Sequence, residues 1–239
     1  KLKRIVVIET KGMRQYPENS VISFLDLERA GKTYAFDHPK LIEDVLSKQK
    51  LSDTALMIYT SGSTGKPKGA MLSYRNIRAQ AIAVVERLQL DESTTLLSYL
   101  PLCHVAEQMT TVMVPGYLGS LVNFGESIRT VQEDLREVAP SMFLGVPRIW
   151  EKLHSSIHIK LLESDPVRRR LFEKAYTACE PFAEKAPSQR SFGERIKFFV
   201  YYWLVFRALQ NFIGLRKAKV AMTGAAPISP AIVHFFRAI

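Results

Sequence analysis

The sequence predicts an α/β domain with a mostly parallel sheet, flanking helices and a helical insertion. Two observations predict this class. Short β-branched runs alternate with stretches of helical periodicity, which is typical of parallel sheets covered by helices. The 239 residues are 47% hydrophobic and 23% charged, as in ordinary globular chains. Disordered, collagen-like and coiled-coil proteins are therefore excluded.

The first elements alternate between strand and helix patterns. Residues 4–9 are short and β-branched and predict a buried strand. Residues 20–30 carry apolar side chains at helical spacing, and we expect Gly31 to end that helix. Residues 41–48 predict a second helix, and residues 54–59 predict a strand that enters a glycine-rich turn.

The same alternation continues after the turn. Residues 74–88 predict a helix, residues 94–100 a strand, and residues 110–118 a helix in spite of Pro115. Residues 141–146 predict a further strand, which a helix follows. A repeated strand and helix order of this kind favours a parallel sheet.

The later part of the chain is mainly helical. Helical patterns run from about residue 149 to residue 215, broken at Asp165-Pro166 and at residues 186–188. A strand over residues 219–222 and a helix that begins at Ser229-Pro230 follow. We treat residues 1–239 as one partial domain, divided into an α/β part (1–147), a helical insertion (148–217), and a strand with the start of a helix (218–239).

Positive charge is concentrated in the helical region. The whole chain has 33 basic and 23 acidic residues, a net charge of +10. Residues 148–219 hold fifteen Lys and Arg against seven Asp and Glu, and thus +8 of that total. Two interpretations stay open: a solvated helical face, or a surface that meets anionic lipid or a phosphorylated ligand. The sequence carries no nucleic-acid-binding motif, and we expect no nucleic-acid partner.

Cysteine content and hydropathy indicate the compartment. Cys103 and Cys179 are too few for a disulfide framework and form no paired zinc motif, which favours a reducing environment. The longest apolar run, residues 198–206, is nine residues, whereas a membrane-spanning helix needs about 18 or more. We expect a cytoplasmic protein, with peripheral contact to a membrane as the alternative.

The segment from Tyr59 to Ala70 is rich in groups that bind phosphate. Glycines permit consecutive backbone N–H groups to turn toward one anion, and hydroxyl and ammonium groups add further donors. The composition of the segment therefore favours a phosphate-binding loop over a flexible loop exposed to solvent. Its donors and glycines are Thr60, Ser61, Gly62, Ser63, Thr64, Gly65, Lys66, Lys68 and Gly69.

Three familiar motifs do not fit this loop. The Walker pattern G-x-x-x-x-G-K-[ST] fails because Pro67 and Ala70, five places after Gly62 and Gly65, stand where it requires its second glycine. The dinucleotide pattern G-x-G-x-x-G fails because Thr64 stands two places after Gly62. The run from Ser63 to Lys66 matches S-x-x-K, but the S-D-N and K-T-G motifs of a β-lactamase site are absent from the sequence.

The loop resembles that of a known family. The segment that ends at Gly69 matches, at every place, the pattern [ST]-[SG]-G-[ST]-[ST]-G-x-P-K-G of the adenylate-forming enzymes. These include acyl-CoA synthetases, luciferases and nonribosomal peptide adenylation domains. The segments Tyr99–His104 and Thr223–Pro227 agree with the same family and stand in the expected order. Residues 145–152, with the helical stretch after them, are similar to its long-chain fatty acyl-CoA synthetase branch.

The resemblance implies a fold and a reaction. The fold would be the large N-terminal domain of an acyl-CoA synthetase, here incomplete. Such enzymes join a carboxylate to the α-phosphate of ATP, release pyrophosphate, and pass the acyl group from AMP to coenzyme A. The implied substrates are therefore a fatty acid, ATP and CoA, with Mg²⁺ as the cofactor.

The resemblance also implies roles for particular residues. Thr60, Ser61, Ser63, Thr64 and Lys68 would contact the ATP phosphates, with Gly62, Gly65, Lys66 and Gly69 completing the loop. Ser63 or Thr64 would help to hold Mg²⁺, which prefers oxygen ligands.

Two further segments are assigned in the same way. His104 would act with Lys68 in catalysis by placing a hydrogen bond or positive charge on the substrate carboxylate. Glu107 would orient His104 if the two share a helix face. Gly224, Ala225, Ala226 and Pro227 would form a wall against the nucleotide and acyl chain, the alternative being a plain turn between a strand and a helix.

Two other sequence features are weaker candidates. His154 and His158 are four residues apart, but they lack the glutamate of H-E-x-x-H, and we expect no metal site there. The run from Lys197 to Arg207 has nine apolar residues between two cations. It is interpreted either as a buried helix in a thick helical layer or as an interfacial helix at a membrane surface.

Alternatives to a complete fatty acid ligase also remain. The sequence begins without Met and stops inside a helical pattern, so we expect a piece of a longer protein. The family's acidic magnesium ligand, ribose-binding Asp and distal Lys would follow downstream, and we expect little or no ligase activity from this chain alone. The rival hypotheses are a non-catalytic nucleotide-binding or membrane-docking scaffold, and a ligase for an aryl or short-chain acid.

Overall fold

A computed structural model describes residues 3–17, 20–60 and 67–239. Contacts within the chain divide it into two compact units, Lys1–Asp53 and Thr54–Ile239. The boundary falls inside the predicted α/β part, at a place that the sequence patterns do not mark. The three-part division of the sequence stays a prediction.

The first unit combines two short parallel strands with two helices. Strand β1 pairs with β2 from Ile5 opposite Val21 to Val7 opposite Ser23. The Ser23 side chain accepts a hydrogen bond from the Asp26 N–H and so caps the helix that follows. The elements are β1 (Ile5–Val7), a 3₁₀ turn (Met13–Gln15), β2 (Val21–Ser23), α1 (Phe24–Asp37) and α2 (Leu41–Lys48).

Two expectations for the first unit are wrong. Gly31 does not end α1, which continues to Asp37. One glycine costs a helix only about 1 kcal/mol, and the ion pair from Glu28 to Lys32 (3.1 Å) spans it. The first strand forms as predicted but is not buried: Ile5 is 47% exposed. Its partner strand β2 covers its edge, and no described side chain of this unit is buried.

The second unit begins with an antiparallel hairpin. Strand β3 (Thr54–Thr60) pairs with β4 (Lys68–Ser73), and Thr60 lies opposite Lys68. Ser73 then caps α3 (Tyr74–Leu88) in a reciprocal arrangement with Asn76. Both β3 and α3 are predicted by the sequence, whereas β4 is not.

A four-stranded parallel sheet forms the centre of the second unit. Its spatial order is β6-β5-β7-β8, and Leu96 of β5 lies opposite Val122 of β6 and Met142 of β7. The prediction of a mostly parallel α/β sheet is confirmed. The strands are β5 (Thr95–Ser98), β6 (Leu121–Phe124), β7 (Met142–Gly145) and β8 (Val220–Thr223).

Helices connect the parallel strands. A continuous helical stretch that includes a π-helical segment joins β5 to β6, and Pro115 lies in the first turn of its last part, where proline is tolerated. A further helix joins β6 to β7. Neither β6 nor that helix is predicted from the sequence. The elements are α4 (Val105–Glu107), the π-helix Gln108–Met113, α5 (Val114–Leu118) and α6 (Val131–Val138).

The predicted helical insertion lies between β7 and β8. It is broken where the sequence predicts, since Asp165 caps one helix and Pro187 begins a 3₁₀ turn. The last helix follows β8. The elements are α7 (Pro147–Leu162), α8 (Pro166–Cys179), α9 (Phe192–Tyr201), the π-helix Tyr202–Phe206, α10 (Arg207–Phe212) and α11 (Pro230–Ala238).

The main core lies between the parallel sheet and the insertion. Fully buried side chains from α6, β7, α7 and the second π-helix meet there, among them Leu135, Phe143, Leu153 and Phe206. Gly214 has φ +78°, and a Cβ there would lie 2.3 Å from the Leu135 carbonyl, so this close approach requires glycine. Within the described ranges, no helix has both the length and the hydropathy needed to cross a bilayer.

Candidate active site

The strand order places a crevice between β5 and β7. The chain passes from β5 to β6 on one side and returns to β7 on the other side of β5. In open parallel sheets, ligands bind at the carboxyl ends of the strands, where the order reverses in this way. The segments that begin at Tyr99 and at Gly224 follow the carboxyl ends of β5 and β8. The fold therefore brings two of the predicted motifs to the same edge.

Tyr99 holds the two central strands together at this edge. Its hydroxyl donates a hydrogen bond to the Leu144 carbonyl (3.0 Å) and accepts one from the Val146 N–H (3.2 Å). The ring packs against Phe143, with ring centroids 5.7 Å apart. Burial raises the pKa of Tyr99 to about 12, so the hydroxyl remains protonated at neutral pH.

His104 lies at the start of the helical stretch that follows β5. Residues 101–104 form a turn closed by a hydrogen bond from the His104 N–H to the Pro101 carbonyl (3.0 Å). His104 then occupies the N-cap position of α4 with extended backbone angles. Its side chain is exposed, six residues after the end of β5. The ring is therefore free to meet a ligand.

Glu107 does not orient His104, so that expectation is wrong. The Glu107 carboxylate accepts hydrogen bonds from the Ser98 hydroxyl (2.6 Å) and the Thr111 hydroxyl (2.7 Å). It is only 2% exposed. The two residues do not share a helix face because His104 is an extended cap residue. Glu107 instead fixes the first turn of this helical stretch to the end of β5.

An apolar groove lies beside His104. It has a volume of about 600 Å³ between α3 and the helical stretch that starts at α4. Val105 and Ala106, the two residues after His104, form one end of its lining. The remaining wall is mostly apolar and also includes two amide side chains; its residues are Leu72, Asn76, Ile77, Ala79, Gln80, Met109 and Met113. A carboxylate at His104 would thus have space for an apolar chain next to it.

Trp150 joins the other pair of strands at the same edge. Its indole N–H donates to the carbonyls of Gly145 on β7 and Met222 on β8, both at 3.1 Å. A Cβ on Gly145 would lie 2.5 Å from the indole nitrogen, so glycine is required beneath the ring. Trp150 also lines a cavity of about 310 Å³ together with Thr223 and Arg237.

The segment from Gly224 to Pro227 begins directly beside this cavity. Ala225 has φ +70°, a left-handed conformation that L-residues rarely adopt. Residues in such conformations are concentrated at ligand sites. Gly224 is not in this conformation, and a Cβ there would find ordinary contact with Leu144 at 3.7 Å. Ala225 is therefore the unusual residue of this turn, and the assignment of the segment as a wall stays a prediction.

The predicted phosphate loop is carried by the β3–β4 hairpin. Thr60, Lys68 and Gly69 lie on its two strands and are exposed. The Thr60 hydroxyl donates to the Lys68 carbonyl at 3.5 Å, so the two ends of the loop are adjacent. The remaining predicted loop residues lie outside the described residues: Ser61, Gly62, Ser63, Thr64, Gly65 and Lys66. The proposed Mg²⁺ ligands, Ser63 and Thr64, are among these.

The described geometry brings some predicted site residues together and leaves others apart. His104 and the Gly224–Pro227 segment share the edge of the parallel sheet. Lys68 lies on the separate hairpin, and among described residues no hydrogen bond or ion pair joins it to His104. The sequence patterns do not identify Tyr99 and Trp150 as site residues. Both stand inside the quoted motifs, but their partners are 45 and 72 residues away in the chain.

The two histidines of α7 follow Trp150 along the helix. His154 and His158 approach with their Nε2 atoms 3.0 Å apart, and His154 packs against Phe235 of α11. Burial and the neighbouring ring lower the pKa of His154, which favours its neutral form. Within the described parts of the chain, no group of three or more His, Cys, Asp or Glu residues is placed to hold a metal ion.

Comparison with known proteins identifies relatives of the chain. The family model described as AMP-binding enzyme matches residues 4–239. Human long-chain-fatty-acid–CoA ligase ACSBG2 is 35% identical over 202 residues, which cover 82% of this chain and 30% of that protein. Long chain acyl-CoA synthetase 2 of Arabidopsis thaliana is 30% identical over 204 residues, covering 83% of this chain and 30% of that protein.

A solved structure shares the fold. VinN, determined in complex with L-aspartate, matches with a TM-score of 0.52 at 14% identity, over 98% of this chain and 47% of that one. This likeness concerns the fold alone. The chain spans about 30% of the length of the two curated ligases.

Proposed function

This chain belongs to the AMP-binding enzyme family, and from that premise we propose that the protein containing it is an AMP-forming long-chain fatty acid–CoA ligase. The observation that carries the proposal is the exposed position of His104 beyond the carboxyl end of β5, where parallel sheets bind ligands, directly before Val105 and Ala106, which line the groove. The names of the relatives, which are long-chain acyl-CoA ligases, support the same substrate class.

The acid would bind with its carboxylate at His104 and its alkyl chain in the groove. A hydrogen bond or positive charge from the imidazole would lower the repulsion between the carboxylate and the ATP phosphates. The groove walls are mostly apolar and would shield the alkyl chain from water. Glu107 and Tyr99 would act as positioning residues, because each fixes the segment that carries His104.

ATP would bind with its phosphates at the hairpin loop. The exposed Thr60 hydroxyl and Lys68 ammonium at the ends of the loop have the chemistry to contact an anion. Ser61, Ser63, Thr64 and Lys66, together with the glycines, would supply the remaining donors. Mg²⁺, held in part by Ser63 or Thr64, would neutralise charge on the phosphates when bound. The segment Gly224–Pro227 would form the wall against the nucleotide.

CoA is the proposed acceptor of the acyl group from AMP, and the cytoplasm is the proposed location. The activity is proposed for the whole protein, since the chain spans less than half of the curated ligases that it matches. The absence of ligase activity from this chain alone remains part of the proposal.

The test measures pyrophosphate release by the full-length protein with acids of graded chain length. We expect activity to rise from short to long chains, and His104→Ala to reduce it with every acid. A preference for aryl or short-chain acids would contradict the proposed substrate class. Nucleotide binding without pyrophosphate release from any acid would favour the scaffold hypothesis.

A substitution in the groove sharpens this test. Ala79→Phe would fill part of the groove from α3, so we expect it to shift the preference toward shorter acids. Ala83→Phe is the matched control, because Ala83 is also exposed on α3 and does not line the groove. An unchanged chain-length profile in Ala79→Phe would place the alkyl chain elsewhere.

A further inference from the structure

The helical stretch from Phe192 to Phe212 has an apolar face that points away from the core. We call this face the outer stripe. Its members follow one another at spacings of three, four and one residues, which places them on one side of a helix. Their exposed fractions run from 45% to 79%. They are Phe192, Ile196, Phe199, Val200, Trp203 and Leu204.

The opposite face of the same stretch is also apolar, and it is packed. Phe206 and Leu209 are buried in the main core, and Phe198 packs against Phe206 with ring centroids 5.8 Å apart. A surface helix of a globular protein normally presents polar residues to solvent. This stretch is apolar on both sides. The buried interpretation of the run from Lys197 to Arg207 therefore describes its inner face, and its outer face is exposed.

Cations surround the outer stripe. Residues 192–219 contain six Lys and Arg and a single acid, Glu194, which is paired with Lys185 at 2.6 Å. The Arg207 guanidinium lies over the Trp203 ring, 4.8 Å from its centroid. Leu204 borders a groove of about 470 Å³ whose rim carries Lys160 and Arg168. The apolar face is therefore bordered by positive charge from three helices.

We propose that the outer stripe docks the protein on the surface of an anionic lipid bilayer. An amphipathic segment at such a surface buries its apolar side chains to a depth of about 5–10 Å, while Lys and Arg remain among the headgroups. Aromatic side chains such as Phe199 and Trp203 favour that interfacial depth. A second copy of the chain fits less well, because two stripes in contact would bring their bordering cations together. The proposal goes beyond the ligase function and does not depend on it.

The experiment measures sedimentation of the full-length protein with vesicles. The vesicles contain phosphatidylcholine alone or phosphatidylcholine with phosphatidylserine, at low and at high salt. We expect wild-type protein to sediment with the phosphatidylserine vesicles at low salt and to be released by high salt. The double variant Phe199→Ser/Trp203→Ser should bind at least roughly tenfold more weakly.

Matched variants separate the stripe from general effects. Phe36→Ser/Ile42→Ser removes two exposed apolar residues from α1 and α2, and we expect unchanged sedimentation. Lys197→Gln/Arg207→Gln should weaken binding by roughly 30-fold, as two cations near the surface contribute. Lys48→Gln/Lys50→Gln is the control for charge and should have no effect. Circular dichroism checks that each variant is folded.

Several outcomes would overturn the proposal. They are failure of the wild-type protein to sediment, equal binding to neutral and acidic vesicles, or equal losses in the stripe and control variants. Self-association that Phe199→Ser/Trp203→Ser abolishes would identify a second copy as the occupant instead. Pyrophosphate release without vesicles tests the ligase proposal separately, and we expect the stripe variants to keep it.

Discussion

The candidate site of the second unit draws on two elements that differ in burial, the β3–β4 hairpin and the parallel sheet. No described residue of β3 or β4 is buried, whereas Leu96, Leu97, Met142 and Phe143 of the parallel sheet are. The hairpin carries the predicted phosphate loop, and the sheet edge carries His104. The phosphate groups of ATP would thus bind at an exposed hairpin, whereas the reacting carboxylate would bind beside the buried strands of the parallel sheet. Substitutions in the two regions should therefore separate activity from stability.

The largest expected effect is on the stability of the sheet. Phe143 is 1% exposed between Tyr99 and Trp150, and Phe143→Ala should lower the free energy of unfolding by about 3–5 kcal/mol. Met71→Ala on the hairpin should lower it by less than about 0.5 kcal/mol, because Met71 is exposed. Urea unfolding measures both. Similar losses from the two substitutions would remove the proposed contrast.

The next effect is on activity and concerns the hairpin. Lys68→Ala should reduce kcat/KM for acyl-AMP formation in the full-length protein by about 10²–10³-fold, the usual loss for one well-placed electrostatic group. Its free energy of unfolding should change by less than about 0.5 kcal/mol. Lys50→Ala removes another exposed lysine and is expected to leave both quantities unchanged. Full activity in Lys68→Ala would exclude Lys68 from the phosphate site.

Glu107 tests whether the sheet edge depends on a buried carboxylate. Glu107→Ala leaves the Ser98 and Thr111 hydroxyls without their acceptor, and we expect a loss of about 2–3 kcal/mol in the free energy of unfolding. Glu107→Gln keeps one acceptor oxygen and should lose less. Glu137→Ala, at an exposed position of α6, is the control. The prediction fails if denaturation curves of the Ala and Gln variants coincide with that of the wild type.

Because of Tyr99, the free energy of unfolding should fall at alkaline pH. Burial raises its pKa from the ordinary value of 10.0 to about 12, so the unfolded chain loses the proton first as pH rises. The stabilisation is fully present below pH 10 and is lost between pH 10 and 12, by roughly 2 kcal/mol. Tyr99→Phe should reduce this fall, as measured by unfolding at several pH values.

The matched control for Tyr99 is again on the hairpin. Tyr59→Phe alters an exposed ring and should leave the alkaline fall in place. A smaller fall should persist in Tyr99→Phe, because burial also raises the pKa of Tyr176. An alkaline profile in Tyr99→Phe that equals the wild-type profile would contradict the assignment.

Local signals account for the parts of the fold that the sequence predicts well. The bounds of α2 and α3 are as predicted, since their amphipathic periods are regular and Ser73 with Asn76 marks the start of α3. Asp165-Pro166 marks the start of α8 in the same way. Gly31 shows the limit of such signals. A glycine by itself does not end a helix. Residues 32–37 continue α1 beyond Gly31.

Long-range pairing accounts for most of what the sequence does not predict. Strand β4 (Lys68–Ser73) contains two glycine-loop residues and becomes a strand through its pairing with β3. Strand β6 is not predicted because the polar Asn123 interrupts the apolar run of its four residues. The loop motif could be predicted from composition and spacing alone. The hydrogen bonds of Tyr99, and that of Trp150 to Met222, could not, because they depend on which strands are neighbours in the sheet.

The two tryptophans occupy contrasting environments. The Trp150 indole is buried at the sheet edge and bonded to two carbonyls, whereas Trp203 is 55% exposed in the outer stripe. Buried indoles fluoresce at shorter wavelengths than hydrated ones. These 239 residues therefore contain two natural optical reporters, Trp150 for a ligand that enters the cavity it lines, and Trp203 for a change of solvent at the outer stripe. In a polypeptide of these residues, Trp203→Phe would leave Trp150 as the single tryptophan, so ligand entry into that cavity could be followed without any added dye.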